Sequence, residues 1–276
     1  MKKTIITVLM ALTILLPHLS STAHAQTTSR ITISVNGQTL ALESNPYYKN
    51  GSVYAPARTV LEALGSKQLA WNAAEKSLLL ETPGTVAKVY INSRAVYANG
   101  ELKHLPAPPE LQYGRSMVPV QGLARLMGFE VRWDNGTHTL ELTREGFALD
   151  PARVKQLSYT KEDLQWLSKI VMAESGGSSL DGKLAVANVV LNRVESPSFP
   201  NSVKEVIFQR KFTVQFPPAH KASFATLVPN VESVTAAKMA LEGHDNVPNS
   251  LYFNNTPFKS KANSFIALIG GNYFYR

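Results

Sequence analysis

Apolar residues recur every three or four positions after residue 160, a spacing that predicts an amphipathic helix. Leu164, Leu167 and Val171 fall on one side of this helix, and the next position on that side is an acid, Glu174. A Thr-x-x-Asp sequence at residues 160–163 resembles a capping box at the helix start, and a Gly-Gly pair ends the pattern. The pattern therefore places one carboxyl group on the buried side of a helix, in its last turn.

A carboxyl group in that position is expected to be partly desolvated. Desolvation disfavours the charged form and raises the pKa, as a general acid working near neutral pH requires. The alternative is that Glu174 is a buried structural acid, paired with a base such as Arg193.

The rest of the C-terminal half is predicted to contain further helices and then strands. Residues 181–194 are apolar around most of their circumference, which predicts a central helix with Asp181 as its N-cap. Asn188 and Asn192 lie one turn apart on this helix and are expected either to bond a neighbouring loop or to line a cleft. Further helices are predicted at Val203–Phe208 and Val231–Glu242, and strands at Ser250–Asn254, Phe265–Ile269 and Asn272–Tyr275.

The N-terminal half contains an internal repeat. The segment Gly51–Pro56 recurs as Gly114–Pro119, an offset of 63 residues, and each copy precedes a short helix, a glycine, a tryptophan and a strand. The repeat unit of hairpin, helix and strand predicts an α+β domain. Trp71 and Trp133 are predicted to pack in the core at strand starts rather than to stack on sugars.

The N-terminal sequence and the composition predict where the protein is located. A basic pair, an apolar run and an Ala-x-Ala site predict a signal peptide at residues 1–25, so the protein is expected to be secreted and not inserted in the membrane afterwards. Without Lys2 and Lys3 the net charge falls from +8 to +6, a mild excess that suits an anionic envelope polymer without excluding nucleic acid. The chain has no cysteine, which excludes disulfides and thiol nucleophiles.

Residues 30–144 resemble the copper amine oxidase N-terminal-like domain found in secreted bacterial proteins. Both copies of the repeat show its Val-x-x-Pro-like strands, its Leu-Gly or Met-Gly helix ends and its Trp-Asn or Trp-Asp turns. His104 and His138 are isolated, so copper binding is not predicted. The predicted organisation is a signal peptide at 1–25, this domain at 26–144, a linker at 145–158 and a second domain at 159–276.

The second domain resembles the cell wall hydrolase family of the SleB type, the spore cortex-lytic enzymes. The resemblance is carried by short motifs in family order: Ala173-Glu174, Gly182–Val194, Ser196–Val203, Val206–Gln209, Phe212-Thr213, Leu251–Asn254, Ile269-Gly270 and Phe274. It implies a lysozyme-like or transglycosylase-like helical fold with a small β-sheet, making the whole chain α+β. It also implies cleavage of peptidoglycan glycan strands in the cell wall or spore envelope, with Glu174 as the catalytic acid.

One family feature is missing. Family members have a second acid in the loop after the catalytic one, whereas this loop reads Ser175-Gly-Gly-Ser178. A glycosidase that uses water needs two carboxylates. A lytic transglycosylase can work with one, since the same group first gives a proton and then takes one from the muramoyl 6-hydroxyl. The sequence therefore favours lytic transglycosylation between N-acetylmuramic acid and N-acetylglucosamine. A true hydrolase using Glu174 and Asp181 and a non-catalytic wall-binding or spore-coat protein remain open.

The other candidate site residues are predicted to contact the glycan substrate. They are Ser175, Asn188, Gln209, Phe212, Thr213, Tyr252 and Asn254. No cofactor, metal or nucleic-acid partner is predicted, because His220 and His244 lack a zinc-site spacing and the chain has no basic stripe. A serine hydrolase is disfavoured since Ser175 and Ser178 lack a nucleophile-elbow context.

Overall fold

A computed structural model describes residues 30–210 and 214–276. The predicted signal peptide lies outside the described residues. Within the described part, no helix has the length and apolar character needed to cross a membrane. The described residues form an α+β structure, as predicted, with two large hydrophobic cores and a small third cluster at Tyr54, Ala107 and Met117.

The N-terminal unit consists of three small antiparallel or mixed sheets and two short helices. Its elements are β1 (Thr32–Val35), β2 (Gln38–Thr39), β3 (Tyr47–Lys49), β4 (Ser52–Pro56), α1 (Ala57–Ala63), β5 (Gln68–Asn72), β6 (Ser77–Thr82), β7 (Thr85–Tyr90), β8 (Ala95–Ala98), β9 (Glu101–His104), β10 (Glu110–Gln112), β11 (Arg115–Pro119), α2 (Val120–Leu126), β12 (Glu130–Asp134) and β13 (Thr139–Thr143). The sheet orders are β12-β13-β1-β2, β10-β11-β4-β3 and β5-β6-β7-β8-β9.

The predicted repeat is visible in this unit. The two equivalent strands, β4 and β11, pair antiparallel with Ala55 opposite Val118, and each leads through a proline into a seven-residue helix. Gly65 and Gly128 end these helices in the left-handed region, at φ +95° and +82°, where a side chain would be strained. Because the repeated strands pair with each other, the two copies share one core.

One prediction for this half is wrong. Trp71 is 43% exposed, because it lies on β5 at the edge of its sheet, where only one side is covered. The segment predicted as a linker at 145–158 is largely attached to the N-terminal unit: Leu149 is buried in its core, Phe147 packs on it, and Leu40 bridges Val154. Apolar side chains within a polar stretch hold it there.

Among the described residues, the C-terminal unit has five α-helices and one three-stranded sheet. Its elements are α3 (Lys161–Ser175), α4 (Leu180–Glu195), α5 (Val203–Phe208), α6 (Ser223–Thr226), α7 (Val231–Leu241), β14 (Tyr252–Asn254), β15 (Phe265–Ile269) and β16 (Asn272–Tyr275). The sheet order is β14-β16-β15, with β15 and β16 joined by a turn at Gly270 and Gly271.

The central helix of this unit is α4, as its apolar circumference predicted. It packs against α3, α5 and α7, and residues 182–190 are all buried. The N-cap is Ser179, whose hydroxyl accepts a hydrogen bond from the Gly182 amide, and not Asp181 as predicted. Asp181 instead lies exposed in the first turn, where its charge favours the helix N-terminus.

Charged groups join the two units. Lys161, at the start of α3, lies 2.9 Å from the Asp134 carboxylate and 2.7 Å from that of Glu141. Lys238 on α7 is buried and donates to the Arg30 carbonyl at 2.7 Å and to the Thr32 hydroxyl at 2.8 Å. These contacts hold α3 and α7 against the β1/β13 sheet.

Candidate active site

Glu174 is placed by the packing of α3. The predicted capping box is present, with Thr160 and Asp163 bonded reciprocally, and it fixes where the helix begins. Leu164, Leu167 and Val171 are buried against the core, which turns the last-turn acid toward the interior.

The pKa of Glu174 is raised above its ordinary value. Burial is the main cause, and the positive charges of Arg193 and Lys221 act in the opposite direction. One carboxylate oxygen, Oε1, is buried and has no hydrogen-bond partner among the described residues. The structure therefore favours the protonated form of the carboxyl group more than water does.

Glu174 opens into a cleft of about 450 Å³, a size typical of small-ligand sites. The cleft lies between the end of α3, α4, the segment before the turn at Pro217–His220, and the edge of the β14-β16-β15 sheet. Its lining residues are Glu174, Arg193, Val214, Gln215, Pro217, Tyr252, Phe253, Asn254, Asn255, Phe258 and Asn272. Among these residues Glu174 is the single carboxylic acid.

Arg193 supplies the cleft with a buried positive charge. The side chain is 3% exposed, and its Nε donates to the Leu251 carbonyl at 2.8 Å. Its guanidinium carbon lies 4.9 to 5.9 Å from the ring centroids of Phe199, Phe216 and Tyr252. The Nη1 atom has no partner among the described residues. Burial lowers its pKa to about 10, which leaves Arg193 a cation at neutral pH.

The sheet provides the opposite wall. Tyr252 and Asn254 lie two residues apart on β14, so their side chains share a face, as predicted. Asn254 donates to the Thr256 hydroxyl at 3.0 Å, and the Lys261 ammonium lies 3.8 Å from the Tyr252 ring centroid. Asn272, at the start of β16, adds a second amide to the cleft.

Several predicted substrate contacts do not line this cleft. Ser175 is 3% exposed, and its hydroxyl donates to the Val171 carbonyl in its own helix. Asn188 is equally buried and donates to Asn246, so the bond to a neighbouring loop is the arrangement present. Gln209 is half-buried outside the lining, and the exposed Asp181 is not part of it. Phe212 and Thr213 lie outside the described residues.

Few signals in the sequence indicate the other residues of the cleft. The sequence predicts Arg193 only as a structural partner of Glu174, although a base on a mainly apolar helix is itself unusual. Gln215 and Asn272 carry no recognisable spacing relative to Glu174 and enter the cleft only through tertiary packing.

Two family models match the chain, one in each unit. Residues 34–142 match the family model described as copper amine oxidase N-terminal domain, and residues 177–275 match that described as cell wall hydrolase. The second match begins three residues after Glu174.

Curated relatives match about a third of the chain. The spore cortex-lytic enzyme of Bacillus cereus is 41% identical over 98 residues, and that of Bacillus subtilis is 35% identical over 98 residues. These alignments cover 35% of this chain and 36% and 30% of the two relatives, so the chain spans about a third of their length.

A solved structure is also similar to part of this chain. It is the catalytic domain of the germination-specific lytic transglycosylase SleB from Bacillus anthracis, at 33% identity and a TM-score of 0.38. The match covers 44% of this chain and 100% of that one.

Proposed function

Since residues 177–275 form a cell wall hydrolase domain, we propose that this chain cleaves the glycan strands of peptidoglycan as a lytic transglycosylase. The bond cut is that between N-acetylmuramic acid and N-acetylglucosamine. One observation carries the proposal beyond the family: a single carboxyl group, Glu174, lines the cleft among the described residues.

One carboxyl group can perform both proton transfers of this reaction. Protonated Glu174 donates its proton to the glycosidic oxygen as the bond from the muramoyl anomeric carbon to that oxygen breaks. The resulting carboxylate then takes the proton from the muramoyl 6-hydroxyl, whose oxygen bonds to the anomeric carbon. The products are a 1,6-anhydromuramoyl end and a free 4-hydroxyl, and Glu174 is protonated again.

The surroundings of Glu174 suit both halves of this cycle. Burial keeps the carboxyl group protonated for the first transfer, as its raised pKa indicates. The positive charges of Arg193 and Lys221 stabilise the carboxylate formed after that transfer. In this proposal Tyr252, Asn254 and Asn272, which line the cleft, contact the sugar and its acetamido groups.

The experiment compares wild type, Glu174→Gln and Asp181→Asn on purified cortex and vegetative peptidoglycan, with released fragments analysed by mass spectrometry. We expect anhydro-muramoyl ends from wild type and Asp181→Asn, and none from Glu174→Gln. Reducing ends that require both acids would indicate a hydrolase instead. Wall binding without any released fragment would indicate a non-catalytic binding protein.

Secretion is part of the same proposal, supported by the signal-peptide pattern at 1–25 and by the extracytoplasmic position of the substrate. The relatives are named for the spore cortex, so cortex is the first substrate to test. Mass spectrometry of the intact exported protein should show a chain that begins at Gln26.

A further inference from the structure

A second cleft, here called the interdomain cleft, lies between the two units and apart from Glu174. Its volume is about 480 Å³. The N-terminal unit contributes the end of β12 and the turn after it, and the C-terminal unit contributes α3 and the segment after α6. The lining residues are Arg132, Trp133, Asp134, Asn135, Gly136, Gln165, Trp166, Lys169, Ala225, Thr226, Leu227, Val228 and Pro229. Neither unit encloses this space alone.

Two of the three tryptophans of the chain line this cleft. Trp133 and Trp166 are both half-buried. Their indole N–H groups are bonded within their own units, to Asn135 at 2.8 Å and to Glu162 at 3.0 Å. One face of the Trp133 ring stacks on His138 at 5.9 Å, and one face of the Trp166 ring stacks on Phe224 at 6.1 Å. The part of each ring that lines the cleft offers a ligand apolar surface, which suits the non-polar faces of sugar rings.

The polar groups of the cleft are mainly uncharged or already paired. Asp134 is paired with Lys161, and Arg132 with Glu141. The Lys169 ammonium donates to the Ala225 carbonyl at 2.6 Å and lies 5.3 Å from the Trp166 ring centroid. The Gln165 side-chain amide is a neutral hydrogen-bonding group of the cleft, and the amide nitrogen of Asn135 is another, since the Asn135 oxygen accepts from Trp133. Amides match the hydroxyl and acetamido groups of a saccharide.

We propose that the interdomain cleft is a second, non-catalytic binding site for an N-acetylated saccharide segment of the glycan strand. This inference rests on the proposed function, because it takes peptidoglycan as the ligand. Helix α3 connects the two sites: Lys169 lies five residues before Glu174, a rise of about 7.5 Å along the helix. A long polymer can occupy both sites, whereas a short fragment cannot, so the cleft should increase affinity for polymer selectively.

Tryptophan fluorescence provides a direct test, because the remaining tryptophan, Trp71, lies on β5 outside both clefts. The full chain carrying Glu174→Gln, to prevent turnover, and Trp71→Phe is titrated with the tetrasaccharide of N-acetylglucosamine and with soluble uncrosslinked glycan strands. We expect a saturable change in emission with both. Adding Gln165→Ala should weaken binding about fivefold to tenfold, the loss of one or two hydrogen bonds. Gln68→Ala, an exposed glutamine on β5, is the matched control and should change nothing.

Cleavage assays distinguish a failure of this inference from a failure of the proposed function. In the otherwise wild-type chain, Gln165→Ala should slow release from polymeric peptidoglycan and leave cleavage of short soluble fragments unchanged. Unchanged fluorescence with every saccharide, alongside intact Glu174-dependent cleavage, would overturn the second site alone. A saccharide-dependent signal without any cleavage would support the cleft and overturn the enzymatic proposal.

Discussion

The chemistry at the residue scale depends on how strongly one carboxyl group is desolvated. Glu174 sits in the last turn of α3 with Oε1 buried and without a partner among the described residues. Burying the charged form of this carboxyl group lowers the stability of the fold. The same desolvation raises the pKa and so keeps a general acid protonated.

Glu174→Gln is expected to raise the melting temperature while removing cleavage. The folded pKa of Glu174 lies above the unfolded value, so the folded state holds more protons and wild-type stability declines as pH rises from the unfolded pKa through the folded one. Glutamine has a similar shape and no such dependence. Thermal unfolding at about pH 4 and about pH 8 should show a larger gain at the higher pH. An equal gain at both values would contradict the burial argument.

Arg193 is expected to act as a positioning residue that tunes Glu174. Its charge lowers the pKa of that carboxyl group, against the effect of burial. Arg193→Met should therefore raise the pKa further and move the alkaline limb of the pH–rate profile to higher pH. Arg193→Lys keeps the charge and should leave the limb in place, although kcat falls because the planar contacts to three rings and to Leu251 are lost. A purely structural role would lower the rate without moving the limb.

The site depends at the element scale on how closely the β15–β16 hairpin approaches the start of α4. A Cβ added to Gly182 would lie 3.0 Å from the Gly270 Cα and 3.0 Å from the Ser178 Cβ. Gly270 is itself at φ +58°, and the hairpin that it turns carries Asn272 into the cleft. Two glycines in contact thus set the distance between the helix and the cleft wall.

Gly182→Ala should push the hairpin away from α4 and disturb the cleft. Overpacking of this kind costs about 1–3 kcal/mol. Urea unfolding measures the loss, and the KM for polymeric peptidoglycan should rise with it. Gly177→Ala is the matched control, since a Cβ there meets nothing within 4 Å and the residue is not in the left-handed region. Equal behaviour of the two variants would show that the contact is not close enough to matter.

Ion pairs orient the two units at the scale of the whole molecule. Glu242 on the C-terminal side pairs with Arg30 and lies 3.5 Å from the Lys155 ammonium. Lys161 pairs with Asp134 and Glu141, whose side chains are more than four-fifths buried. Pairs with shielded partners are screened less by salt than fully exposed ones.

Lys161→Ala is expected to loosen this junction by about 1 kcal/mol at low salt. Chymotrypsin cleavage between the units, near Leu157 and Tyr159, should become faster, and the difference from wild type should shrink at high salt. Lys204→Ala removes an exposed pair with Glu162 inside the C-terminal unit and should not change the cleavage rate. Equal acceleration by both variants would mean that the junction does not depend on Lys161.

The sequence by itself determined the features that rest on local chemistry and periodicity. The capping box at 160–163 is present where the pattern placed it, and so are the helix at Val203–Phe208 and the strands at Phe265–Ile269 and Asn272–Tyr275. The position of Glu174 on the buried side of α3 follows from spacing alone. The repeat also predicted the order of strand, helix and strand in each copy. The equivalent glycines, Gly51 and Gly65 in one copy and Gly114 and Gly128 in the other, all have positive φ.

Only the tertiary structure decided which side chains surround Glu174. Ser175 neighbours Glu174 in sequence but is buried outside the cleft, with its hydroxyl bonded to the Val171 carbonyl, whereas Arg193, Tyr252 and Asn272 line the same cleft from α4, β14 and β16. Helical geometry turns successive residues by about 100°, so adjacency along the chain does not mean adjacency in a cleft. The interdomain cleft has the same origin, since Trp133 and Gln165 come together only when β12 packs beside α3.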